Sequence, residues 1–293
     1  MNKIKAYILF CVILGYTESF AQTQVEVITK TVEKTIPLRS GYDVSLQGQG
    51  AKIFVGESES NDIRVRLKLI SKGLTKSIAE RELEYQKYAI DEFKKTVVIR
   101  NYLLLPSNKE LSTIQETVME VRIPKGVDLS ITNSFGSIEL IKLTGKMDIK
   151  NDYGDIIIND FNGECIIKGN YGDFKGSNLK GKLFLDTDHV EITLDSFTGT
   201  SKINSNLGNV LIKNPYQMKH LEINGEKSDI TIETRNLKSY LWKIRSKYGS
   251  LDVPHSMQEA DSDKSETKIL SGNENQPLIE LSTDFGDIMI KQQ

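Results

Sequence analysis

From residue 134 onward, apolar and polar positions alternate in short bursts on a fixed beat. Ile138-Glu139-Leu140 is followed by Ile156-Ile157-Ile158, Ile192-Thr193-Leu194, Val210-Leu211-Ile212, Ile230-Thr231-Ile232 and Ile288-Met289-Ile290. An apolar-x-apolar pair has the two-residue period of a strand, and each burst is too short for an amphipathic helix. Glycine marks the interval: Gly136, Gly145, Gly154, Gly163, Gly172, Gly181, Gly199 and Gly208 stand nine residues apart, with Val190 in the one gap. Two kinds of nine alternate. One reads Asp152-Tyr153-Gly154-Asp155-Ile156; the other reads Leu143-Thr144-Gly145-Lys146-Met147, with copies starting at Phe161, Leu179 and Phe197. The full unit is therefore eighteen residues.

The pattern predicts an all-β fold, a single-stranded β-solenoid (β-helix) whose 18-residue coils each hold two strands and two corners. Equivalent residues on successive coils would lie about 4.8 Å apart, stacking like side chains into one apolar interior. No coil buries its apolar face alone, so stability is a nearest-neighbour sum. Glycine would supply either a positive backbone angle or a close approach at the corners, and Asp or Asn before it suits a turn. An antiparallel sandwich also has frequent turns, but it does not require one residue class at one phase, coil after coil.

The flanks are less regular. Lys3 and Lys5, the apolar run Ala6 to Leu14, and Ser19-Phe20-Ala21 read as a secretory signal over residues 1–21, cut after Ala21. The run is too short to span a bilayer, and Phe10 stands before Cys11 where lipidation wants a small residue. Residues 22–128 read as an irregular β region packed on or continuous with the solenoid. Val44 to Leu46, Lys52 to Val55 and Ile63 to Leu69 alternate, and Gly50-Ala51-Lys52-Ile53 echoes the corner motif. Ser77-Ile78-Ala79-Glu80 reads as a capping box opening a helix over about 77–87, placed near the first coils as a cap. Strands are expected at Tyr88–Phe93 and Val97–Leu105. Residues 129–293 read as the regular solenoid, interrupted at about 257–276 by a polar, solvated loop and closed at Asp287–Ile290 by an edge strand.

Composition narrows the partners. The chain has 38 Lys and Arg against 40 Asp and Glu, scattered, which disfavours nucleic acid. Cys165 is the only cysteine beyond the proposed signal, so no disulfide framework is expected, and its inward phase beside Met147 and Leu183 suits a small core residue. No segment after the signal could span a membrane as a helix. Three histidines without cysteine partners give no zinc site, and no cofactor motif is present.

A secretory signal, a β-rich opening containing Val121-Arg122-Ile123-Pro124-Lys125-Gly126, and steps such as Phe135-Gly136-Ser137-Ile138 and Tyr153-Gly154-Asp155-Ile156 resemble a known family. The likeness is to the adhesin-like β-solenoid domains of bacterial cell envelopes, the head-GIN adhesin type common in Bacteroidetes. It covers roughly residues 25–293. It implies an exported, non-enzymatic protein in the periplasm, at the outer membrane or on the surface of a Gram-negative bacterium. It supplies no catalytic residue.

Candidate chemistry lies on the corners and outward faces. Ser137, Asp155, Asp173, Glu191, Asn209, Asp229, Ser250 and Asp287 follow the corner position and form a mostly acidic ladder. Calcium rolls share the coil length but need Gly-Gly pairs, and this chain has none. Asp155 with Asp173 would be the pair for a polysaccharide-active enzyme, but any acids on adjacent coils lie near the 5–5.5 Å or so of a retaining pair. A ladder accepting backbone N–H bonds explains the same residues. The row Phe135, Tyr153, Tyr171, His189, Leu207, Tyr248 and Phe285 makes Tyr153 and Tyr171 candidates for stacking on a glycan. Ile166 and Phe184 share one outward phase and form a candidate apolar site for a protein partner. Lys146, Glu164 and Lys182 alternate in sign as a solvated charge ladder. The favoured reading is a non-catalytic envelope solenoid binding an unknown protein or glycan. A further possibility is assembly through the terminal strand edge.

Overall fold

A computed structural model describes residues 25–215, 217–257, 260–263 and 265–292, so the proposed signal at 1–21 lies outside the described residues. The twenty strands among them join one continuous hydrogen-bonded sheet, accompanied by one α-helix. The chain opens with β1 (Glu26–Pro37), β2 (Asp43–Gln49), β3 (Ala51–Glu57) and β4 (Asp62–Gly73). Helix α1 (Lys76–Leu83), β5 (Gln86–Phe93), β6 (Thr96–Leu103) and β7 (Ile114–Ile123) follow. The regular part runs through β8 (Leu129–Ser134), β9 (Ile138–Asp152), β10 (Ile156–Asp195), β11 (Thr198–Asn206) and β12 (Val210–Lys213).

Here the chain winds in parallel register. Leu129 lies beside Met147, Ile138 beside Ile156, Lys180 beside Thr198 and Ile192 beside Val210, each an offset of eighteen residues. Ile138, Ile156, Phe174, Ile192 and Val210 form one buried column, and Leu140, Ile158, Leu194 and Ile212 form a second. Each such side chain contributes about 1.5–3 kcal/mol by leaving water. The exception in the second column, Gly176, has a steric cause. A Cβ there would lie 2.7 Å from Leu179 Cδ1, 2.8 Å from Leu194 Cδ2 and 3.2 Å from Phe174 Cζ. Leu179 and Leu194, with the Phe174 ring behind them, fill the room that a second side chain would need.

The two ends depart from chain order. The coil made by β2 and β3 lies between the coil of β6 and β7 and the coil of β8 and β9. Beyond it, β5 pairs antiparallel with β6, while β4 pairs antiparallel with β7 and carries β1 outside it. The helix begins one residue before the proposed capping box, with Thr75 as its cap: Thr75 Oγ1 accepts the Ile78 N–H at 3.3 Å. It ends at Leu83 rather than near Lys87, because the chain leaves at Gln86 to pair with β6. Its buried Ala79 and Leu83 belong to the face that meets β4 and β1, so antiparallel strands rather than the helix close this end.

The far end mirrors this. β13 (Met218–Glu226) and β14 (Ile230–Thr234) continue the stack. β15 (Leu241–Lys247) and β16 (Leu251–Asp252) then skip one place. β17 (Ala260–Asp263) and β18 (Glu266–Ser271) form an antiparallel hairpin on β15, so the stretch read as a solvated loop at 257–276 carries ordered strands. β19 (Leu278–Asp284) and β20 (Ile288–Gln292) then thread into the vacant place, with β13 and β14 on one side and β15 and β16 on the other. The strand expected to close the stack as an edge is therefore interior. Its residues Ile288 and Ile290 extend both apolar columns, which favours the inserted position over an exposed one.

Candidate functional site

The first corner of nine successive coils places a residue in the left-handed region just before the glycine position. Gly50, Phe135, Tyr153, Tyr171, His189, Leu207, Lys227, Phe285 and Tyr248 follow one another in space, with φ between 52° and 63°. For a residue with a Cβ this conformation costs about 1–2 kcal/mol. The following glycine serves another need. Gly154 lies outside the left-handed region, but a Cβ on it would stand 2.1 Å from the Gly136 carbonyl oxygen of the coil before. Close approach of backbone to backbone, not a positive angle, therefore selects glycine at this corner. Val190 stands in for one glycine, and its Cγ2 lies 3.8 Å from where Gly169 would carry a Cβ.

Three residues before the corner runs an inward polar column that the periodic reading missed. Asn133 donates to the carbonyls of Gly136 at 2.9 Å and Ala51 at 3.1 Å, and to Asn151 Oδ1 at 3.1 Å. Asn151 donates to the Gly154 carbonyl at 2.7 Å. Ser205, Thr283 and Ser246 donate to the carbonyls of Gly208, Ser228 and Gly286 at the same place. These side chains satisfy corner carbonyls that would otherwise be buried without a partner. The signal was a small polar residue at a fixed distance before each corner, visible once the inward phase is known.

The acidic ladder turns inward on its own backbone. Asp155 Oδ1 accepts the Asp173 N–H at 3.0 Å, Asp229 Oδ1 accepts that of Asp287 at 2.8 Å, and Asp287 Oδ1 accepts that of Ser250 at 2.7 Å. The Ser250 amide first, and the Ser250 hydroxyl after it, hold the Asp287 carboxyl below its usual range. Among the described residues no three His, Cys, Asp or Glu side chains converge as metal ligands.

The aromatic row is a tight stack. Ring centroids of Phe135 and Tyr153 lie 5.0 Å apart at 4°, those of Tyr153 and Tyr171 4.9 Å apart at 1°, and those of Tyr171 and His189 4.6 Å apart at 20°. Stacking of this kind contributes about 0.5–1.5 kcal/mol per pair and offsets much of the left-handed backbone cost. It also occupies the ring faces. Tyr153 and Tyr171 remain 51% and 44% exposed, but each has a ring on both sides, so only edges and hydroxyls face solvent. A sugar cannot lie flat on either.

Ile166 sits beside Asp148 and Phe184 beside Lys202 on the opposite face of the stack. Both are half-buried at the same outward phase. Lys146 and Lys182 flank Glu164 at 3.7 and 3.8 Å, giving the expected charge ladder beside them. Cys165 lies inward next to Met147, and burial, with a smaller push from Asp148, raises its thiol far above the ordinary value. It is a core residue rather than a nucleophile.

A groove of about 610 Å³ on the outside of the N-terminal coils, lined by Phe54, Ile141, Arg64 and Arg122, was not visible in the sequence, because its residues come from strands far apart in the chain. Arg66 closes one side of it, pairing with Glu33 at 2.7 Å and Glu120 at 3.5 Å.

A cell adhesion protein candidate from Clostridium sporogenes is 14% identical, with 91% of this chain and 100% of that one covered and a TM-score of 0.28. A candidate adhesin from Bacteroides fragilis is 10% identical over 89% and 97% of the two chains, with a TM-score of 0.42. A candidate lipid binding protein from Parabacteroides distasonis is 12% identical over 89% and 96%, with a TM-score of 0.30. No curated protein matches. The family model described as Toastrack DUF4097 matches residues 43–291, from the first coil in the chain to the inserted last strand, and the chain belongs to that family.

Proposed function

We propose that this chain is an exported, non-catalytic, adhesin-like solenoid of a Gram-negative cell envelope, presenting a rigid ladder of side chains to a protein or glycan partner. The single observation that carries this reading is the in-register stack itself. Its outward columns hold side chains at one spacing along a surface that needs no enclosed cleft. Ile166 and Phe184 are the proposed contact for a protein partner, an apolar pair within charged neighbours. The alternative, a polysaccharide-active enzyme using Asp155 and Asp173, is not favoured. Asp155 is engaged by the backbone of the next coil, and corner acids of this kind serve the stack.

The test is chemical crosslinking of the purified chain to envelopes of the parent cell. Ile166→Asp with Phe184→Asp is expected to lose the wild-type crosslink, while Asp155→Asn with Asp173→Asn keeps it. Polysaccharide turnover by wild type that disappears in the Asn pair would reverse the assignment.

A further inference from the structure

The aromatic stack ends at Phe135 on the side of the N-terminal coils. Phe135 rests on Tyr153, and the column continues on its other side to Gly50, which has no ring to offer. Phe135 is 68% exposed, the most of any large apolar side chain in the row. Over that free face opens a cavity of about 180 Å³, smaller than the roughly 300 Å³ at which drug-sized sites begin, and room for a single sugar ring.

No lining residue of this cavity is charged, in a chain that is 27% charged. Its polar groups are amides and hydroxyls held in place by one another. Asn101 accepts the Gln49 N–H at 3.0 Å and donates to the Gln49 carbonyl at 2.8 Å and to Thr117 Oγ1 at 3.0 Å. Thr117 in turn donates to Gln86 Oε1 at 3.2 Å. Gln49 Oε1 accepts the Leu103 N–H at 3.1 Å, which fixes that amide. Tyr102 adds a second, partly exposed ring, with the Arg100 guanidinium, itself outside the lining, 5.8 Å from its centre. An aromatic face, preorganised amides and the absence of charge suit a neutral polyhydroxylated ring, whose C–H face stacks while its hydroxyls bond to the amides.

We infer that the Phe135–Gly50 cavity is a binding site for one neutral hexose unit of a glycan. This rests on the glycan half of the binding reading above and moves it from Tyr153 and Tyr171 to the end of their stack.

The isotope-labelled chain, titrated with methyl β-glucoside, methyl β-galactoside and methyl α-mannoside and with glycerol as control, provides the test by amide NMR. At least one glycoside is expected to shift Gln49, Gly50 and Leu103 selectively. Phe135→Ala should weaken that binding about tenfold. Gly50→Tyr should abolish it by extending the stack. A Cβ on Gly50 meets nothing within 4 Å, and Phe, Tyr, His, Leu and Lys already hold the same backbone angle in this row, so the variant is expected to fold. Ile166→Asp with Phe184→Asp should bind the glycoside unchanged. The inference is overturned by no shift beyond glycerol, by full binding in Gly50→Tyr, or by shifts centred on Tyr153 and Tyr171. If the glycosides fail while the envelope crosslink still depends on Ile166 and Phe184, only this site is lost. If the glycosides bind and that dependence is absent, the protein contact is lost and this site stands.

Discussion

Glycine and its neighbour divide the work at each first corner, and the division has measurable consequences. The aromatic residue accepts the left-handed angle, while the glycine admits the carbonyl of the coil beside it. Gly154→Ala places a methyl 2.1 Å from that carbonyl, and the backbone of two coils must part. Gly50→Ala meets no atom and bears only the left-handed cost of about 1–2 kcal/mol. In thermal unfolding, Gly154→Ala should therefore lower the midpoint about twice as much as Gly50→Ala, at a cost on the order of 3 kcal/mol. Equal losses would mean that the glycines are chosen for their backbone angle. The period was legible because identical steric demands recur at each coil. The assignment of those demands was not, since a positive angle and a close approach both call for glycine. The stack hides the faces of Tyr153 and Tyr171 for the same reason that it was visible in the sequence: the rings recur at one coil spacing.

At the scale of elements, local pattern located most strands and misjudged the order of the last ones. The expected strands at Tyr88–Phe93 and Val97–Leu105 correspond to β5 and β6, which turn through Lys94 and Lys95, both at positive φ. The capping-box pattern points to Ser77, but Thr75 provides the cap and the β5–β6 pairing ends the helix early. The composition of the polar stretch after Met257 suggests a loop; its described residues Ala260–Asp263 and Glu266–Ser271 pair as a hairpin because β15 would otherwise leave an open edge. Nothing local could place β19 and β20 inside the stack, because the apolar phase of a coil is the same wherever it sits. Their interior position makes a sharp prediction. A chain ending at Pro277 loses the coil between β13–β14 and β15–β16, so amides of residues 241–252 should lose hydrogen-exchange protection together with the hairpin. Unchanged protection there would show that the last strands lie at an edge.

Across the whole molecule, the coils form one ordered stack whose two ends are each locked by a coil inserted out of chain order. The N-terminal lock is β2 with β3, and the C-terminal lock is β19 with β20. Such locking joins residues far apart in the chain, so the ends should unfold with the coils they enclose rather than fray from the termini. The sequence of first-corner bonds records the spatial order: the amides of Ile138, Ile192, Val210, Ile230 and Ile288 donate to the carbonyls of Asp155, Asn209, Asp229, Asp287 and Ser250. The most direct test is a set of spin-label distances from position 137 to positions 209, 229, 287 and 250, with buried Cys165 resisting the label. At one strand spacing per coil, the Cα separations should be about 19, 24, 29 and 34 Å, in that order. A distance from 137 to 287 exceeding that to 250, or a series that does not lengthen step by step, would contradict the stack and its inserted lock.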